Sequence, residues 1–435
     1  MQKQRQDAIA GGFLGDMYSN AAQHPAQHPP RPDEALSERV RELMLCAATG
    51  DVDGASDLLA RGVDANARAP TRGEVLDAVR DALEGGRRRK PDSRRSDQDD
   101  SAGAAAAGSL AALAALRGSA NALCTACACG ELEMVERLME ARGMVAEGRA
   151  VATDSGASPF WLACAAGHAE VVAHLADEVG VNKETPDDDD GTPLLAACAA
   201  GQTAVLRLLL ARGCDHLAAD MRGNTPFHFA CRGGHAPMVE LLLAQRAPPR
   251  KAAAGTSGGV AVDAPTVDGH TPLCAACWHG RSEVVALLLK HSAAGATAAG
   301  GGGGARKAST TTEVDVNARM RGGATPLFAA AYEGHAKIVE QLVTAGADIG
   351  ACTEVGSSVL FASASRGHAE ATAVLLRAAK AAPGSLDVDL VGRCGLTALG
   401  MADLAGHAEV ATMLRQHGCT LKGELEVPAF EEGKE

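Results

Sequence analysis

Two kinds of apolar pattern alternate along most of this chain. In the first, a Ser or Thr precedes a Pro, a large apolar residue and then small apolar residues, and a Gly follows nine residues after the Ser or Thr. In the second, apolar residues recur on one helix face, as in Val284, Val285, Leu288 and Leu289. The alternation predicts pairs of short helices, of which the first can approach its neighbours closely. The first pattern starts at Ser158, Thr192, Thr225, Thr271 and Thr325, with a weaker copy at Thr397.

Each part of the repeated phrase has a mechanical role in a helical hairpin. A Ser or Thr hydroxyl can accept hydrogen bonds from the free N–H groups at a helix start. Proline fits the first helical turn, where its missing N–H costs nothing. The Gly nine residues on, such as Gly167 or Gly234, can end the first helix in the left-handed conformation. The phrase therefore predicts a helix-turn-helix unit.

These landmark glycines show that the unit is repeated. From Gly130 onward they are 37, 34, 33, 46, 54, 33 and 39 residues apart, so a period of 33 recurs with insertions. The phrase and the period resemble the ankyrin repeat. The resemblance implies an all-α repeat fold, a solenoid of stacked helix-turn-helix units with short hairpin-like turns. We count nine units, whose first helices start near residues 38, 121, 158, 192, 225, 271, 325, 358 and 397.

Composition divides the chain around these units. The first, second and eighth units lack the Thr-Pro start but keep the landmark Gly. An insertion after the first unit holds a basic run and an Ala-rich segment, and whether it also contains a degenerate repeat stays open. The predicted domains are a disordered leader at 1–35, a first ankyrin-like unit at 36–68, the insertion at 69–120, eight further units at 121–421 with loops at 247–262 and 292–313, and an acidic tail at 422–435.

Composition and charge narrow the classes of function. The net charge of −13 argues against general binding of nucleic acid or anionic membranes. No run of 18 apolar residues occurs, so we expect no membrane insertion, and the N-terminus lacks the apolar core of a secretory signal. The 13 cysteines lie in apolar helical segments, which is typical of reduced thiols. We expect a monomer in the cytoplasm or the nucleus.

Cysteines recur three residues before the landmark Gly, and they raise the hypothesis of a metal site. The pairs Cys124-x-x-Cys127 and Cys274-x-x-Cys277 favour it. Neighbouring helices lie ~8–10 Å apart, which is too far for a shared zinc site with bonds of ~2.3 Å or for a disulfide. Packing as small apolar residues is therefore the preferred interpretation, and we expect no metal and no cofactor. The recurring position is filled by Cys127, Cys164, Cys198, Cys231 and Cys277.

Histidines follow the landmark Gly directly in most units. Taken singly, each could bind metal or transfer protons. Their shared position in the family pattern instead favours hydrogen bonding that holds the inter-helix loop. These residues are His168, His235, His335, His368 and His407.

Charged segments outside the units carry weaker hypotheses. The basic run Arg87–Lys90, with Arg94 and Arg95, could direct nuclear import or bind phosphate, although a solvated loop is the preferred interpretation. Ser96 and Ser309 follow basic residues and are candidate phosphorylation sites. Asp187–Asp190 lack the regular ligand spacing of a calcium loop, so we interpret them as a solvated turn.

The resemblance implies a concave groove lined by the turn tips and by the two residues before each landmark Gly. This chain has two Trp and two Tyr, and one of each falls on that predicted groove, in adjacent units. Aromatic residues and Arg dominate binding hot spots. The structural alternative is that both rings only cover neighbouring units. The predicted partner-binding residues are Trp278, His279, Tyr332, Glu333, Arg232, Arg222, Arg321, Asp268 and His270.

The sequence favours a binding protein over an enzyme. The longest segment outside the units has about 52 residues of low complexity, which leaves no room for a separate catalytic domain. We predict a scaffold or adaptor for an unidentified protein, with no catalytic residues. A substrate-recruiting or regulatory subunit of a multi-chain enzyme is the alternative, and a thiol-based metalloprotein is a third hypothesis that metal analysis would test.

Overall fold

The computed structural model describes most of the predicted repeat region. Within it the chain forms short helices paired as hairpins, which confirms the all-α repeat fold. The helices divide between two compact units, Met1–Asp220 and Met221–Glu435, called here unit 1 and unit 2. The described residues are 34–70, 119–141, 153–245, 262–298, 314–382, 386–392 and 395–419, with isolated positions at 77, 80, 116 and 384.

Unit 1 contains four helical hairpins among its described residues. First helices pack on first helices of adjacent hairpins, and second helices on second helices. The first helix begins at Glu34, inside the segment that we assigned to the leader. The helices are α1 Glu34–Thr49, α2 Val52–Ala60, α3 Ala122–Cys129, α4 Leu132–Glu140, α5 Pro159–Ala166, α6 Ala169–His174 with a π-helical continuation at Leu175–Val179, α7 Pro193–Ala199 and α8 Thr203–Ala211.

A short strand pair marks the place where the insertion of unit 1 leaves the stack and returns to it. Strand β1 (Ala69–Pro70) pairs antiparallel with β2 (Ser119–Ala120). The two ends of the insertion therefore meet between the first and second hairpins. Between the two strands, apart from the isolated positions, the insertion lies outside the described residues, including its basic run, most of its Ala-rich segment and Ser96.

Unit 2 contains five hairpins in the part of it that the structure describes, packed in the same order as those of unit 1. Ser309 falls outside that part. The helices are α9 Pro226–Gly233, α10 Ala236–Leu243, α11 Pro272–Trp278, α12 Ser282–Ala298, α13 Pro326–Tyr332, α14 Ala336–Thr344, α15 Val359–Arg366, α16 Ala369–Ala381, α17 Ala398–Ala405 and α18 Ala408–Gln416.

The first helices start where the Ser and Thr residues predict. The Ser158 hydroxyl accepts the N–H of Trp161 at 3.1 Å, and the Thr271 hydroxyl accepts that of Cys274 at 3.3 Å. The second hairpin, which has no Thr-Pro phrase, uses the Asn121 side chain in the same way. Each cap satisfies an N–H group that the helix leaves without a partner. The predicted capping role is confirmed.

The landmark cysteines lie in the core. All five are buried, as are Cys124 and Cys274, and burial raises the pKa of Cys124 and of Cys274 to about 12. Such thiols stay protonated at neutral pH and behave as small apolar side chains. The packing interpretation is therefore confirmed for these positions. The described residues contain no cluster of three or more His, Cys, Asp or Glu side chains suited to a metal ion.

The acidic turn of unit 1 is more ordered than a simple solvated loop. The Asp187 carboxylate is half-buried and accepts the N–H groups of Asp189 at 3.0 Å and Gly191 at 2.7 Å. Asp188–190 are exposed, as predicted. Burial raises the pKa of Asp187 to about 6, and the neighbouring carboxylates of Asp189 and Asp188 add to that rise.

Membrane insertion finds no support in the helices. None of them, in the part of the chain that the structure describes, has both the length and the apolar content needed to span a bilayer.

Candidate functional site

Hydrogen bonds between hairpins fix the ends of the first helices in unit 2. The ring N–H of His335 donates to the carbonyl of Trp278 at 3.3 Å, and that of His368 donates to the carbonyl of Tyr332 at 3.0 Å. These carbonyls lie in the last turn, where a helix leaves them without a partner. The predicted hydrogen-bonding role is confirmed for four of the five histidines, and each of these bonds reaches a carbonyl of the preceding hairpin: His168, His335, His368 and His407.

The same geometry presents the two side chains of interest. Trp278 is the last residue of α11 and Tyr332 is the last residue of α13. Their backbone carbonyls are held by the next hairpin, and their rings lie 6.0 Å apart between centroids, tilted by 36°. Both side chains remain half-buried. The structure thus brings together two aromatic residues that are 54 positions apart in the sequence.

A third ring completes the group, which we call the aromatic cluster (Trp278, Phe328 and Tyr332). Phe328 stacks on Tyr332 with centroids 6.2 Å apart and an interplanar angle of 11°. Phe328 and Tyr332 are four residues apart on α13, so one helix face carries both. Our sequence reasoning did not select Phe328, although the four-residue spacing was a signal that could have identified it.

A cation covers the outer side of this cluster. The guanidinium of Arg366, at the end of α15, lies 4.3 Å from the centre of the Tyr332 ring and 3.6 Å from the carboxylate of Glu333. An Arg over a tyrosine ring is attracted by the negative face of the ring. Tyr332, Glu333 and Arg366 therefore form one connected group on the ends of two adjacent first helices.

His279 lies in a cationic environment. It caps α11 directly after Trp278, and its pKa is lowered to about 4 by burial first, then by the charges of Arg232, Arg281, His335 and His270. At neutral pH this imidazole is uncharged. Of the groups that act on it, Arg232 and Arg281 are the ones that are positively charged at neutral pH.

The arginines near His279 come from two hairpins. Arg232 lies in the last turn of α9, with its guanidinium 6.0 Å from the ring centre of Phe229. Arg281 takes the position that histidine fills in the other hairpins of unit 2, and its Nε donates to the Arg232 carbonyl at 3.0 Å. Arg281 was missed in the sequence. Its signal was the replacement of the landmark histidine.

The turn tips of unit 2 are joined through their backbones. The N–H of Val267 donates to the carbonyl of Arg222 at 3.0 Å, and the N–H of Arg321 donates to the carbonyl of Asp268 at 3.1 Å. Arg321 also lies 3.4 Å from the Asp268 carboxylate. The exposed tips of adjacent hairpins therefore form one edge, with alternating charge.

His270 is more structural than its predicted role suggests. Its carbonyl accepts the ring N–H of His228 at 3.3 Å, its own N–H donates to the Thr266 hydroxyl at 3.1 Å, and burial lowers its pKa. All nine predicted binding residues thus lie on the ends of first helices or on the turn tips of unit 2, and the two aromatic residues among them are in contact.

Comparisons with known proteins agree with this architecture. The family model described as "Ankyrin repeats (3 copies)" matches overlapping stretches that span more than half of the chain, at residues 123–220, 180–253, 214–299, 259–352 and 327–423. The curated "Ankyrin repeat and KH domain-containing protein mask" of Drosophila melanogaster is 31% identical over 107 residues, which is 25% of this chain and 3% of that protein. This chain therefore aligns with only a small fraction of that relative's length. With its capped helical hairpins, landmark glycines and family match, the chain belongs to the ankyrin-repeat family.

Proposed function

We propose that this chain is a protein-binding scaffold or adaptor whose partner contacts the aromatic cluster of unit 2. Ankyrin repeats are general protein-interaction modules. The observation that carries the proposal is the contact of Trp278 with Tyr332 at the ends of adjacent first helices, where both rings stay partly open to solvent. At the position two residues before the landmark Gly, most other hairpins have Ala or Ser, and the remaining two have Arg232 and Leu404, so an aromatic ring stands there only in the hairpins of Trp278 and Tyr332.

The surroundings of the cluster suit recognition better than simple packing. Aromatic side chains and Arg supply most binding energy in protein interfaces when they lie on a well-supported surface. The carbonyls of Trp278 and Tyr332 are held by His335 and His368, so the rings are presented on fixed backbone. Ordering them on binding then costs little conformational entropy.

Mutation of the cluster tests the proposal. Affinity capture with mass spectrometry identifies the partner, and its dissociation constant is measured for wild type, Trp278→Ala, Tyr332→Ala and the double variant. A hot-spot residue contributes about 2 kcal/mol, so we expect each single variant to bind roughly 30-fold more weakly. The circular dichroism spectrum should stay unchanged.

A control comes from the last hairpin. Leu404 stands at the same position as Trp278 relative to its landmark Gly and is 60% exposed. Leu404→Ala should leave the affinity unchanged. Unaltered binding by the Trp278→Ala/Tyr332→Ala variant would remove the cluster from the interface. Whether the captured chain is an enzyme, or the client of one, separates a passive scaffold from a regulatory or substrate-recruiting subunit.

A further inference from the structure

The charge around Trp278 differs from that of the chain as a whole. The full sequence carries a net charge of −13. The Arg281 Nε donates to the backbone carbonyl of Arg232 at 3.0 Å, at the end of α9. The guanidinium groups of both residues also act electrostatically on His279, which caps α11 directly after Trp278. Local positive charge on an acidic protein selects the partner surface that can approach it.

His279 is an internal probe of that local charge. Burial lowers its pKa most, and each group that acts on it electrostatically (Arg232, Arg281, His335 and His270) lowers it further. Among the described residues, no carboxylate is one of the groups acting on it. Of the groups that act on His279, Arg232 and Arg281 carry a full positive charge at neutral pH.

The carboxylates of the same surface are already engaged by cations. Glu333 lies 3.6 Å from Arg366, and Asp268 lies 3.4 Å from Arg321. At a distance well beyond their separation, the opposite charges of each pair largely cancel one another's potential. An approaching acidic group therefore meets Arg232 and Arg281 without strong repulsion from Glu333 or Asp268.

The surface also offers apolar contact next to this charge. Trp278 is half-buried against Tyr332, and Val267, on the turn tip of the same hairpin, is 64% exposed. A ligand that carried only negative charge would leave these groups uncovered. A segment with both acidic and apolar side chains would use the whole surface.

We propose that the surface formed by Arg232, Trp278, His279 and Arg281 binds an acidic peptide segment of the partner, with an apolar side chain of that segment against Trp278. The inference rests on the proposed function and specifies the chemistry of its partner. Carboxylates of the segment pair with the two arginines. Binding is consequently weakened by salt, as expected for partly exposed charge pairs.

A peptide selection tests this chemistry even while the partner is unidentified. A phage-displayed library of random 12-residue peptides is selected on the full chain, and the enriched peptides are sequenced. We expect Asp and Glu to exceed Lys and Arg in peptides whose binding depends on Trp278 and Tyr332. One such peptide is then synthesised, and its dissociation constant is measured by fluorescence polarisation at low and high salt.

Variants of Arg281 separate charge from structure. Arg281→Gln should weaken the acidic peptide about tenfold, whereas Arg281→Lys, which keeps the charge, should retain most of the affinity. Arg377, on α16, lies 3.8 Å from Glu340 and provides a matched control. Arg377→Gln should leave the affinity unchanged, because that side chain belongs to the second-helix layer.

The outcomes distinguish the two levels of proposal. If the peptides that depend on Trp278 and Tyr332 were neutral or basic, the proposal of an acidic ligand would be wrong, whereas the proposed binding surface would still be supported. A selection that yields no peptide dependent on Trp278 and Tyr332 would contradict the binding surface as well. If deleting residues 422–435 tightened peptide binding tenfold, the acidic tail of this chain would be the occupant, and the assignment to a partner would be wrong.

Discussion

The two units use one framework to present different surfaces. In unit 1 the pairs before the landmark glycines include Ala165-Ala166 and Ala199-Ala200, and Ala165 and Ala200 are buried. In unit 2 the corresponding pairs include Trp278-His279 and Tyr332-Glu333, which are half-buried. Caps, glycines and cross-hairpin hydrogen bonds recur in both units. The framework therefore fixes where the pair stands and leaves its chemistry free to vary.

The cross-hairpin bond shows how the framework tolerates this variation. In unit 1 the His168 ring bonds the Ala128 carbonyl at 2.9 Å, and the Gln202 amide donates to the Ala166 carbonyl at 3.3 Å. In unit 2 the equivalent bonds reach the carbonyls of Trp278 and Tyr332. Since the acceptor is a backbone atom, the bond does not depend on which side chain the residue carries. The backbone of the residue thus contributes to the framework whichever side chain it presents.

The largest effect we expect is a loss of stability that is equal in the two units. Leu209 in unit 1 and Leu342 in unit 2 both lie eight residues after the landmark Gly of their hairpin, and both are fully buried. Leu209→Ala and Leu342→Ala should each lower the free energy of unfolding by about 2–5 kcal/mol, because each leaves a cavity. Urea unfolding followed by circular dichroism measures the loss. A loss of unfolding free energy below about 1 kcal/mol for either variant would contradict the interpretation that both units depend on the same buried position.

A smaller loss of stability is expected from substituting the landmark Gly, and its size should depend on whether a side chain of the next hairpin packs against that Gly. A Cβ on Gly334 would lie 2.4 Å from the His368 ring, whereas a Cβ on Gly406 would meet no described atom within 4 Å. Both glycines have positive φ, so Gly406→Ala should cost about 1–2 kcal/mol from backbone strain alone. Gly334→Ala adds overpacking of about 1–3 kcal/mol.

The matched double variant checks that interpretation. Adding His368→Ala to Gly334→Ala removes the crowded ring and should recover part of the added cost in urea unfolding. If Gly334→Ala and Gly406→Ala were equally destabilising, the crossing histidine would not restrict the landmark position, and backbone conformation alone would explain the glycine.

Local signals account for what the sequence predicted well. Capping at Ser158 and Thr271 and the chain reversal at Gly334 depend on residues within one hairpin, so the repeated phrase was sufficient to predict them. Phe328 against Tyr332 is also local, since the two are four residues apart on one helix.

The contacts that assemble the surface are not local. Trp278 contacts Tyr332, which lies 54 residues later in the sequence, and His335 bonds a carbonyl 57 residues earlier. The repeat register placed these residues on one face, but the partner of each side chain depends on how adjacent hairpins pack. The sequence predicted a histidine hydrogen bond at the inter-helix loop, but not that its acceptor belongs to the preceding hairpin.

The smallest effects we expect are pH dependences of opposite sign in the two units. In unit 2, burial and nearby cations lower the pKa of His279 to about 4 from 6.5. The unfolded chain takes up this proton as pH falls through about 6.5, and the folded chain does not, so stability is lost towards pH 4. In unit 1, burial raises the pKa of Asp187 to about 6 from 3.8. Its contribution is complete below about 3.8 and is lost as pH rises through about 6.

Substituting each group in turn reveals how much it contributes to the pH dependence of the unfolding free energy. The free energy of unfolding is measured in urea at pH 7, 6 and 5 for wild type, His279→Gln and Asp187→Asn. From pH 7 to 5 the difference between wild type and His279→Gln should fall, and the difference between wild type and Asp187→Asn should rise. Neither slope can exceed about 1.4 kcal/mol per pH unit, which is the limit for one proton. Slopes of the same sign would contradict both shifts, because burial, the largest cause of each, lowers the pKa of a base such as His279 and raises the pKa of an acid such as Asp187.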